Sequence, residues 1–229
     1  RYQAVAVNHL GVGGLLHDAA GRVSGVRLAD GTEVRARAVV NATGVWSDEV
    51  RAMDDGTQPR TIRPAKGIHL TVPRRTLPAD IAAVLPVPRD RRSIFVVPWG
   101  DEVYLGTTDT DYHGPLEDPP CTPGDVAYVL DAVNAWVTRA IEPADVVGSW
   151  AGLRPLVENE QSERTADLSR RHKVLVSPHG MVTITGGKLT TYRQMAQDTV
   201  DEVGKVLGVR LRRSTTATMK LLGAAGVES

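Results

Sequence analysis

Hydrophobic and polar positions alternate in short runs over the first 44 residues, with turn residues between the runs. Runs of this length are typical of strands. The Asp30-Gly31 pair between two of them is a strong hairpin signal. The runs occupy residues 4–7, 12–16, 23–28 and 32–40. The pattern predicts an antiparallel meander that ends in a buried strand at residues 38–42.

The middle of the chain has the same strand-like alternation. A hairpin is predicted where Gly100-Asp101 separates two apolar runs. A strand at 146–156 is expected to become a loop at Arg154. The residue before a proline is restricted to extended backbone, so we expect the Arg154 guanidinium to project sideways into a fixed place. The other predicted strands cover residues 63–72, 93–99, 102–106 and 174–176.

Two stretches have helical periodicity instead. The first starts at Thr122-Pro123-Gly124-Asp125, which combines an N-cap threonine, a proline at the first helical position and an acid at the third. Apolar residues then recur at helical spacing as Val126, Val129, Leu130, Val133, Val137 and Ile141. We expect an amphipathic helix packed on a sheet.

The second helix is predicted from Leu189 to Val206, and Gly208 offers a stop. A short strand and the glycine pair Gly186-Gly187 precede it, followed by Lys188. First-turn N–H groups have no intrahelical partner, and the helix dipole adds partial positive charge there. Such a helix start is suited to an anion, although a plain strand–helix turn has the same pattern.

Composition limits the function. Lys+Arg and Asp+Glu both number 27, so no global charge attracts the chain to nucleic acid. The single Cys121 excludes an intrachain disulfide and a cysteine-based metal cage. Asp109 and Asp111 lack further oxygen ligands at alternate positions, so we expect them to brace a loop, and no metal site is predicted. The sequence has no apolar run long enough to span a bilayer and no signal-peptide pattern at residues 1–20.

One glycine-rich stretch resembles a dinucleotide fingerprint. Gly11-Val12-Gly13-Gly14 follows an apolar run, and Asp30 lies where a ribose-binding acid would be expected. The third fingerprint glycine would fall at Leu16, and a turn follows instead of a helix. We therefore reject this interpretation.

Other candidate site residues lie at strand ends. Thr43 and Gly44 follow a predicted buried strand, where an open sheet admits a cofactor, although a tight turn has the same composition. Lys66 and His69 flank Gly67, and we expect both side chains to face one cavity, although a lone histidine is more often structural.

Six motifs occur in a fixed order. They are Asn41-Ala42-Thr43-Gly44-Val45-Trp46, Lys66-Gly67-Ile68-His69, Val97-Pro98-Trp99, Gly106-Thr107-Thr108-Asp109, Gly152-Leu153-Arg154-Pro155-Leu156 and Gly186-Gly187-Lys188-Leu189-Thr190-Thr191-Tyr192-Arg193. In this order the chain resembles the FAD-dependent glycerol-3-phosphate dehydrogenase family, from about residue 4 to about residue 223.

The resemblance implies an α/β fold with α+β character, of the glutathione-reductase-like and D-amino-acid-oxidase-like FAD type. It implies a distal part of the FAD-binding domain at 1–55 and a substrate-binding domain with a mixed sheet and packed helices at 56–155. Residues 156–208 would return to the FAD-binding domain, and 209–229 would start a C-terminal cap or linker.

The implied reaction is oxidation of sn-glycerol 3-phosphate to dihydroxyacetone phosphate, with hydride passing to FAD and electrons to quinone. His69, Arg154 and Lys188 are the implied catalytic residues. The substrate would also contact Lys66 and Arg170. FAD would be held by Ala42, Thr43, Gly44, Gly186, Gly187, Lys188, Leu189 and Thr190.

Family members begin with a GxGxxG segment that this sequence lacks, and they carry a substrate arginine and tyrosine upstream of its start. We therefore expect a piece of a longer protein, inactive by itself. Two alternatives are a non-catalytic fragment that does not hold FAD and a related FAD-dependent oxidase of glycerol 3-phosphate or amino acids. The resemblance also implies a cytoplasmic protein. It leaves open both peripheral contact at the inner face of the plasma membrane and a homodimer.

Overall fold

The computed structural model describes residues 4–57, 60–88, 90, 92–157, 172–221 and 223–224. The strands in these ranges are β1 Val12–His17, β2 Val23–Leu28, β3 Glu33–Arg35, β4 Val40–Asn41, β5 Ile62–Pro73, β6 Ala83–Pro86, β7 Ser93–Trp99, β8 Glu102–Gly106, β9 Thr110–Asp111, β10 Gly148–Val157, β11 Lys173–Val176 and β12 Val182–Thr185. The α-helices are α1 Ser47–Asp55, α2 Pro123–Asn134 and α3 Tyr192–Val206. The predicted mixture of helices and strands is confirmed.

The chain divides into two compact units. Residues 1–61 and 169–229 form one, which we call the split unit because its two segments are separated in sequence. Residues 62–168 form the other, the central unit. The roles predicted for the four sequence ranges stay predictions, since compactness alone assigns no role.

The central unit is built on a six-stranded sheet with the order β10-β5-β8-β7-β6, and β9 also pairs with β5. Every pairing described in this sheet is antiparallel, which differs from the mixed sheet expected here. Helix α2 covers one face, where Ile68 and Leu70 of β5 pack with Val129 and Val133 of α2, all fully buried. Burial of this apolar layer is the main stabilising contribution in the unit.

Helix α2 begins as predicted and ends early. The Thr122 hydroxyl accepts a hydrogen bond from the Asp125 N–H, and the Asp125 carboxylate accepts one from the Thr122 N–H, which completes a capping box. The helix stops at Asn134, whose side chain exchanges two hydrogen bonds with the backbone of Ile141 at 2.8 and 3.0 Å. Ile141 is therefore buried through a returning loop and not through the predicted helical stripe.

The split unit contains two three-stranded sheets. β1, β2 and β3 form the predicted antiparallel meander. In the other sheet, β12 pairs with β11 antiparallel and with β4 parallel. The glycine-rich stretch at residue 11 leads into β1 and a turn, so its rejection as a dinucleotide fingerprint agrees with the fold.

Three strand predictions need correction, two in the split unit and one in the central unit. Residues 4–7 form no strand, and Val5 is 86% exposed, because no described strand pairs with them. The expected buried strand at 38–42 is reduced to the two residues of β4, of which Val40 is exposed. β10 runs through Arg154 and Pro155 without becoming a loop, because it pairs with β5 on one side only and an edge strand tolerates a residue without an N–H.

The described part of the chain holds no helix with the length and apolar character needed to cross a bilayer. The predicted helix from Leu189 is confirmed, with its first three residues in a 3-10 turn before α3 begins at Tyr192. Gly208 has a φ of +64°, the left-handed conformation typical of a helix stop.

Candidate active site

One face of the central sheet carries the candidate chemistry. Antiparallel pairing places His69 opposite Trp150 and Ala65 opposite Arg154. Directly paired residues project from the same face of a sheet, and so do residues two or four apart on one strand. His69, Trp150 and Arg154 therefore share a face, and helix α2 packs on the other one.

The guanidinium of Arg154 is fixed by the loop after β8. Nη1 donates to the Thr108 carbonyl oxygen at 3.1 Å and to the Asp109 carboxylate at 3.4 Å, and Nη2 donates to the Thr107 hydroxyl at 3.0 Å. Beneath it, a Cβ added to Gly67 would lie 2.5 Å from Nη2. Glycine at position 67 lets the guanidinium lie directly against the strand.

His69 is partly buried beside this arginine. Its ring stacks on Trp150 with centroids 5.1 Å apart and planes at 11°, and Tyr104 meets Trp150 edge-on at 5.2 Å. Burial lowers the pKa of His69, and the positive charge of Arg154 lowers that pKa further. The imidazole consequently stays neutral over a wider pH range than a solvated histidine, which is the form that accepts a proton.

Lys66 does not share this face, so the expectation that Lys66 and His69 face one cavity is wrong. Lys66 Nζ lies 2.6 Å from the Asp125 carboxylate and donates to the Pro120 carbonyl oxygen at 3.0 Å, on the α2 side of the sheet. Residues three apart on a strand point to opposite faces. Burial alone would raise the pKa of Asp125, but hydrogen bonds from Lys66 and Thr122 outweigh burial and lower it.

The two aspartates that follow β8, Asp109 in the loop and Asp111 in β9, act as braces, as predicted. Asp109 pairs with Arg154, and Asp111 accepts two hydrogen bonds from Arg63 at 2.5 and 3.0 Å. These contacts attach the loop to β5 and β10. The position of the Arg154 guanidinium therefore depends on a loop that is itself held by ion pairs.

The cofactor candidates lie at one edge of the β11-β12-β4 sheet in the split unit. β4 and β12 are adjacent and parallel, with Asn41 opposite Thr183, so their carboxyl ends reach the same edge. Ala42, Thr43 and Gly44 leave β4 there, and the glycine pair leaves β12. In open α/β sheets, ligands bind outside the carboxyl ends of parallel strands.

Local geometry keeps this edge open to a ligand. Gly186 and Gly187 have φ of +74° and +75°, a conformation that side-chain-bearing residues rarely adopt. The Thr185 hydroxyl oxygen, just before them, is buried and has no hydrogen-bond partner among the described residues. An unpaired buried hydroxyl beside two glycines fits a site that contributes polar groups to a bound cofactor.

The residues after the glycine pair are exposed. Lys188, Leu189 and Thr190 are all solvent-accessible, and Leu189 is 89% exposed. The Thr191 hydroxyl accepts a hydrogen bond from the Lys188 N–H at 3.1 Å, which organises the turn. On the other strand, Asn41 is buried and orders the segment after β4: its side-chain oxygen accepts from the Thr43 hydroxyl at 2.7 Å.

The predicted site residues other than Lys66 and Arg170 thus fall into two groups. His69 and Arg154 share a face of the central unit, and the cofactor candidates with Lys188 share an edge of the split unit. Arg170 lies outside the described residues. The roles assigned to these residues stay predictions.

The sequence interpretation missed Trp150, which stacks on His69, and the supporting role of Gly67. A usable signal was present for both. Trp150 precedes Arg154 by four residues, an even spacing that puts both on one face of a strand, and Gly67 precedes His69 by two.

Comparison with known proteins identifies the family. A family model described as "FAD dependent oxidoreductase" matches residues 2–193. A glycerol-3-phosphate dehydrogenase of Mycobacterium leprae is 42% identical over 211 residues, which cover 90% of this chain and 35% of that protein. The mitochondrial glycerol-3-phosphate dehydrogenase of Mesocricetus auratus is 37% identical over 97% of this chain and 32% of that protein.

A solved structure agrees with both relatives. The glycerol-3-phosphate dehydrogenase of Bacillus halodurans complexed with FAD superposes with a TM-score of 0.80 at 34% identity, over 93% of this chain and 42% of that one. The chain spans about a third of the length of the curated relatives named here. This protein belongs to the family of FAD-dependent oxidoreductases.

Proposed function

We propose that this chain is part of an FAD-dependent glycerol-3-phosphate dehydrogenase, which oxidises the secondary alcohol of sn-glycerol 3-phosphate to dihydroxyacetone phosphate. The observation that carries the proposal is the 42% identity over 90% of the chain to the Mycobacterium leprae enzyme. The arginine–histidine face of the central unit supports it, because the substrate is a phosphate with an oxidisable alcohol.

Arg154 binds the substrate phosphate in this proposal. A guanidinium has a planar set of donors that matches two phosphate oxygens, and its charge offsets the dianion. The contacts with Thr107 and Thr108 hold the group in one orientation before substrate arrives. Such preorganisation reduces the ordering cost of binding.

His69 accepts the proton of the secondary alcohol. Its lowered pKa keeps the imidazole neutral near pH 7, and stacking on Trp150 fixes the ring plane. A positioned general base contributes about 10²- to 10⁴-fold to the rate.

FAD, when bound, would supply the acceptor for the hydride that leaves the carbon bearing this hydroxyl group. Ala42, Thr43, Gly44, Gly186, Gly187, Lys188, Leu189 and Thr190 are the residues that we assign to its binding. The open edge at the ends of β4 and β12 and the unpaired Thr185 hydroxyl are consistent with this assignment. Lys188 is also proposed to contact the substrate phosphate.

The electron acceptor in this proposal is a quinone. A quinone is dissolved in the bilayer, so the protein would be cytoplasmic with peripheral contact at the inner face of the plasma membrane. Neither the acceptor nor a homodimer follows from the similarity to glycerol-3-phosphate dehydrogenases, and the experiment below tests the acceptor.

The proposal is tested with the purified full-length protein of which this chain is proposed to be a part. We expect bound flavin, detected by its visible absorbance, and bleaching of that absorbance when glycerol 3-phosphate is added without oxygen. Reoxidation by a soluble quinone much faster than by oxygen would identify a dehydrogenase. Flavin that is bleached by an amino acid and not by glycerol 3-phosphate, or a protein without flavin, would contradict the proposal.

Arg154→Ala tests the phosphate clamp. We expect KM for glycerol 3-phosphate to rise by at least about tenfold, the equivalent of roughly 1.4 kcal/mol of lost binding. Arg74→Ala is the control, since Arg74 pairs with the exposed Asp80 on the surface of the same unit. Equal KM values for the two variants would refute the role of Arg154.

A further inference from the structure

A cluster of two histidines and one aspartate in the split unit has no part in the proposed reaction. His17 is the last residue of β1, Asp54 lies in the last turn of α1, and His179 is in the turn between β11 and β12. His17 Nε2 lies 3.0 Å and His179 Nδ1 lies 3.1 Å from the same carboxylate oxygen, Oδ1 of Asp54. We propose that these three side chains form a binding site for one Zn²⁺ ion.

The aspartate is in an unusual electrostatic position. Its side chain is only 1% exposed, and it lies at the C-terminal end of a helix, where the dipole disfavours negative charge. Among the residues that the structure describes, its ion-pair partners are the two imidazoles. A buried carboxylate needs a counter-charge, and a divalent cation supplies one.

The carboxylate also has spare ligand capacity. Oδ2 of Asp54 is buried and makes no hydrogen bond of ordinary geometry within the described residues. Nearly all buried polar atoms have a partner, so an unpaired oxygen in a cluster of metal-ligand side chains itself suggests a missing ligand. Burial alone would raise the pKa of Asp54, but the Ser177 hydroxyl and the two imidazoles outweigh burial and lower it.

The distances suit zinc. The three candidate ligand atoms lie within 4.8 Å of one another. Around a tetrahedral Zn²⁺ with bonds of about 2.0–2.2 Å, neighbouring ligand atoms are about 3.3 Å apart. The two N···O distances of 3.0 and 3.1 Å are close to this value.

Accessibility and donor chemistry agree with this assignment. The side chains of His17 and His179 are 30% and 38% exposed, so an ion can reach the cluster from solvent and keep a water as fourth ligand. Two imidazoles and one carboxylate are a donor set typical of Zn²⁺, whereas Ca²⁺ and Mg²⁺ prefer oxygen ligands only.

Zinc at this position would stabilise the split unit. Asp54 is separated from His17 by 37 residues and from His179 by 125 residues, so one ion would join three distant segments. An ion that binds only the folded state raises the free energy of unfolding by RT ln(1 + [Zn²⁺]/Kd).

The experiment uses the intact protein, stripped with a chelator and titrated with ZnCl₂ by calorimetry. We expect one Zn²⁺ per chain and a higher Tm with zinc. His17→Gln and His179→Gln should each weaken binding by at least tenfold. His172→Gln is the matched control, because His172 also pairs with an aspartate, Asp198, at 2.7 Å but without a third ligand in the described residues.

A second measurement does not depend on the variants folding. Co²⁺ added to the stripped wild-type protein should give the intense visible absorbance of a tetrahedral site, and Zn²⁺ should displace it. Absence of saturable zinc binding, a Co²⁺ spectrum typical of octahedral coordination, or equal affinity in the wild type and both His→Gln variants would overturn the proposal.

Discussion

At Gly67 the backbone leaves room for the guanidinium of Arg154. A side chain at this position would also lie 2.6 Å from the Thr107 hydroxyl, so it would displace both the guanidinium and one of the groups that orient it. The effect of this glycine is steric, because its backbone is ordinary extended strand. A single methyl group can therefore test whether the position of Arg154 matters.

Gly67→Ala is expected to lower kcat/KM for glycerol 3-phosphate by about tenfold, equivalent to about 1.4 kcal/mol, mainly through KM. Steady-state kinetics measures the change. Gly124→Ala is the control in the same unit, since an added Cβ there meets its nearest atom at 3.8 Å, an ordinary contact. Kinetics identical to the wild type in Gly67→Ala would show that the guanidinium position is unimportant.

His69 has a pKa below its ordinary value of about 6.5, because of burial and the charge of Arg154. If His69 is the base, kcat/KM stays high above this lowered pKa and falls as the pH decreases through it. Arg154→Ala removes the nearby charge, so the acid limb of the pH profile should move to higher pH. His69→Asn should lower kcat by about 10²- to 10⁴-fold and abolish that limb.

The exposed His113 supplies the comparison for this experiment, since it belongs to the same unit. His113→Asn should leave the pH profile unchanged. A profile of Arg154→Ala that superimposes on the wild type would show that the acid limb belongs to another group.

Helix α2 is attached to the central sheet by a buried ion pair. Asp125 accepts hydrogen bonds from its own N-cap residue and from Lys66 of β5, so a single carboxylate both caps the helix and binds the strand. Both side chains are less than a tenth exposed. Removing one partner of such a pair costs more than the pair itself contributes, because the other charge stays buried.

Lys66→Met should therefore lower the free energy of unfolding by about 3 kcal/mol and leave KM for glycerol 3-phosphate unchanged. Since the pKa of Asp125 is lowered in the folded state, this contribution is present above the ordinary pKa of about 4 and is lost as pH falls through the folded value. Urea unfolding at two pH values measures it.

Arg74→Met is the control for Lys66→Met. It breaks an exposed ion pair, which contributes less than about 1 kcal/mol to the free energy of unfolding. A large rise in KM for Lys66→Met without loss of stability would restore Lys66 to the substrate site.

At the scale of the whole molecule, the two units divide the proposed work. The central unit carries the arginine and histidine assigned to the substrate, and the split unit carries the edge assigned to FAD. Flavin retention should therefore depend on the split unit. The kinetic variants of the central unit should keep their flavin.

Gly186→Ala should release FAD during purification, because it forces a side chain into a φ of +74° at the proposed binding edge. The flavin-to-protein absorbance ratio measures the loss. Gly208→Ala introduces the same kind of strain at a φ of +64°, with nothing within 4 Å of the added Cβ, and should keep FAD. Equal flavin loss in both would indicate general destabilisation and contradict the assignment.

Much of the fold was predictable because the signals are local. The Asp30-Gly31 turn, the cap at Thr122 and the helical spacing after Tyr192 each act over a few residues, and the structure contains the elements that they predict. The interpretation of Lys66 and His69 failed although the strand period contained the answer. Burial was harder to predict than element type, since Val5 and Val40 are apolar residues in strand-like runs but are exposed in the structure.

The sequence by itself determined the element types, the order of the family motifs and the residues that could carry charge or accept a proton. Only the tertiary structure placed β4 beside β12, set Arg154 over Gly67 and brought His17 and His179 to one carboxylate. The physical reason is distance along the chain. Local patterns depend on backbone sterics and hydrogen bonds between near neighbours, whereas contacts across as many as 125 residues depend on how the core packs as a whole.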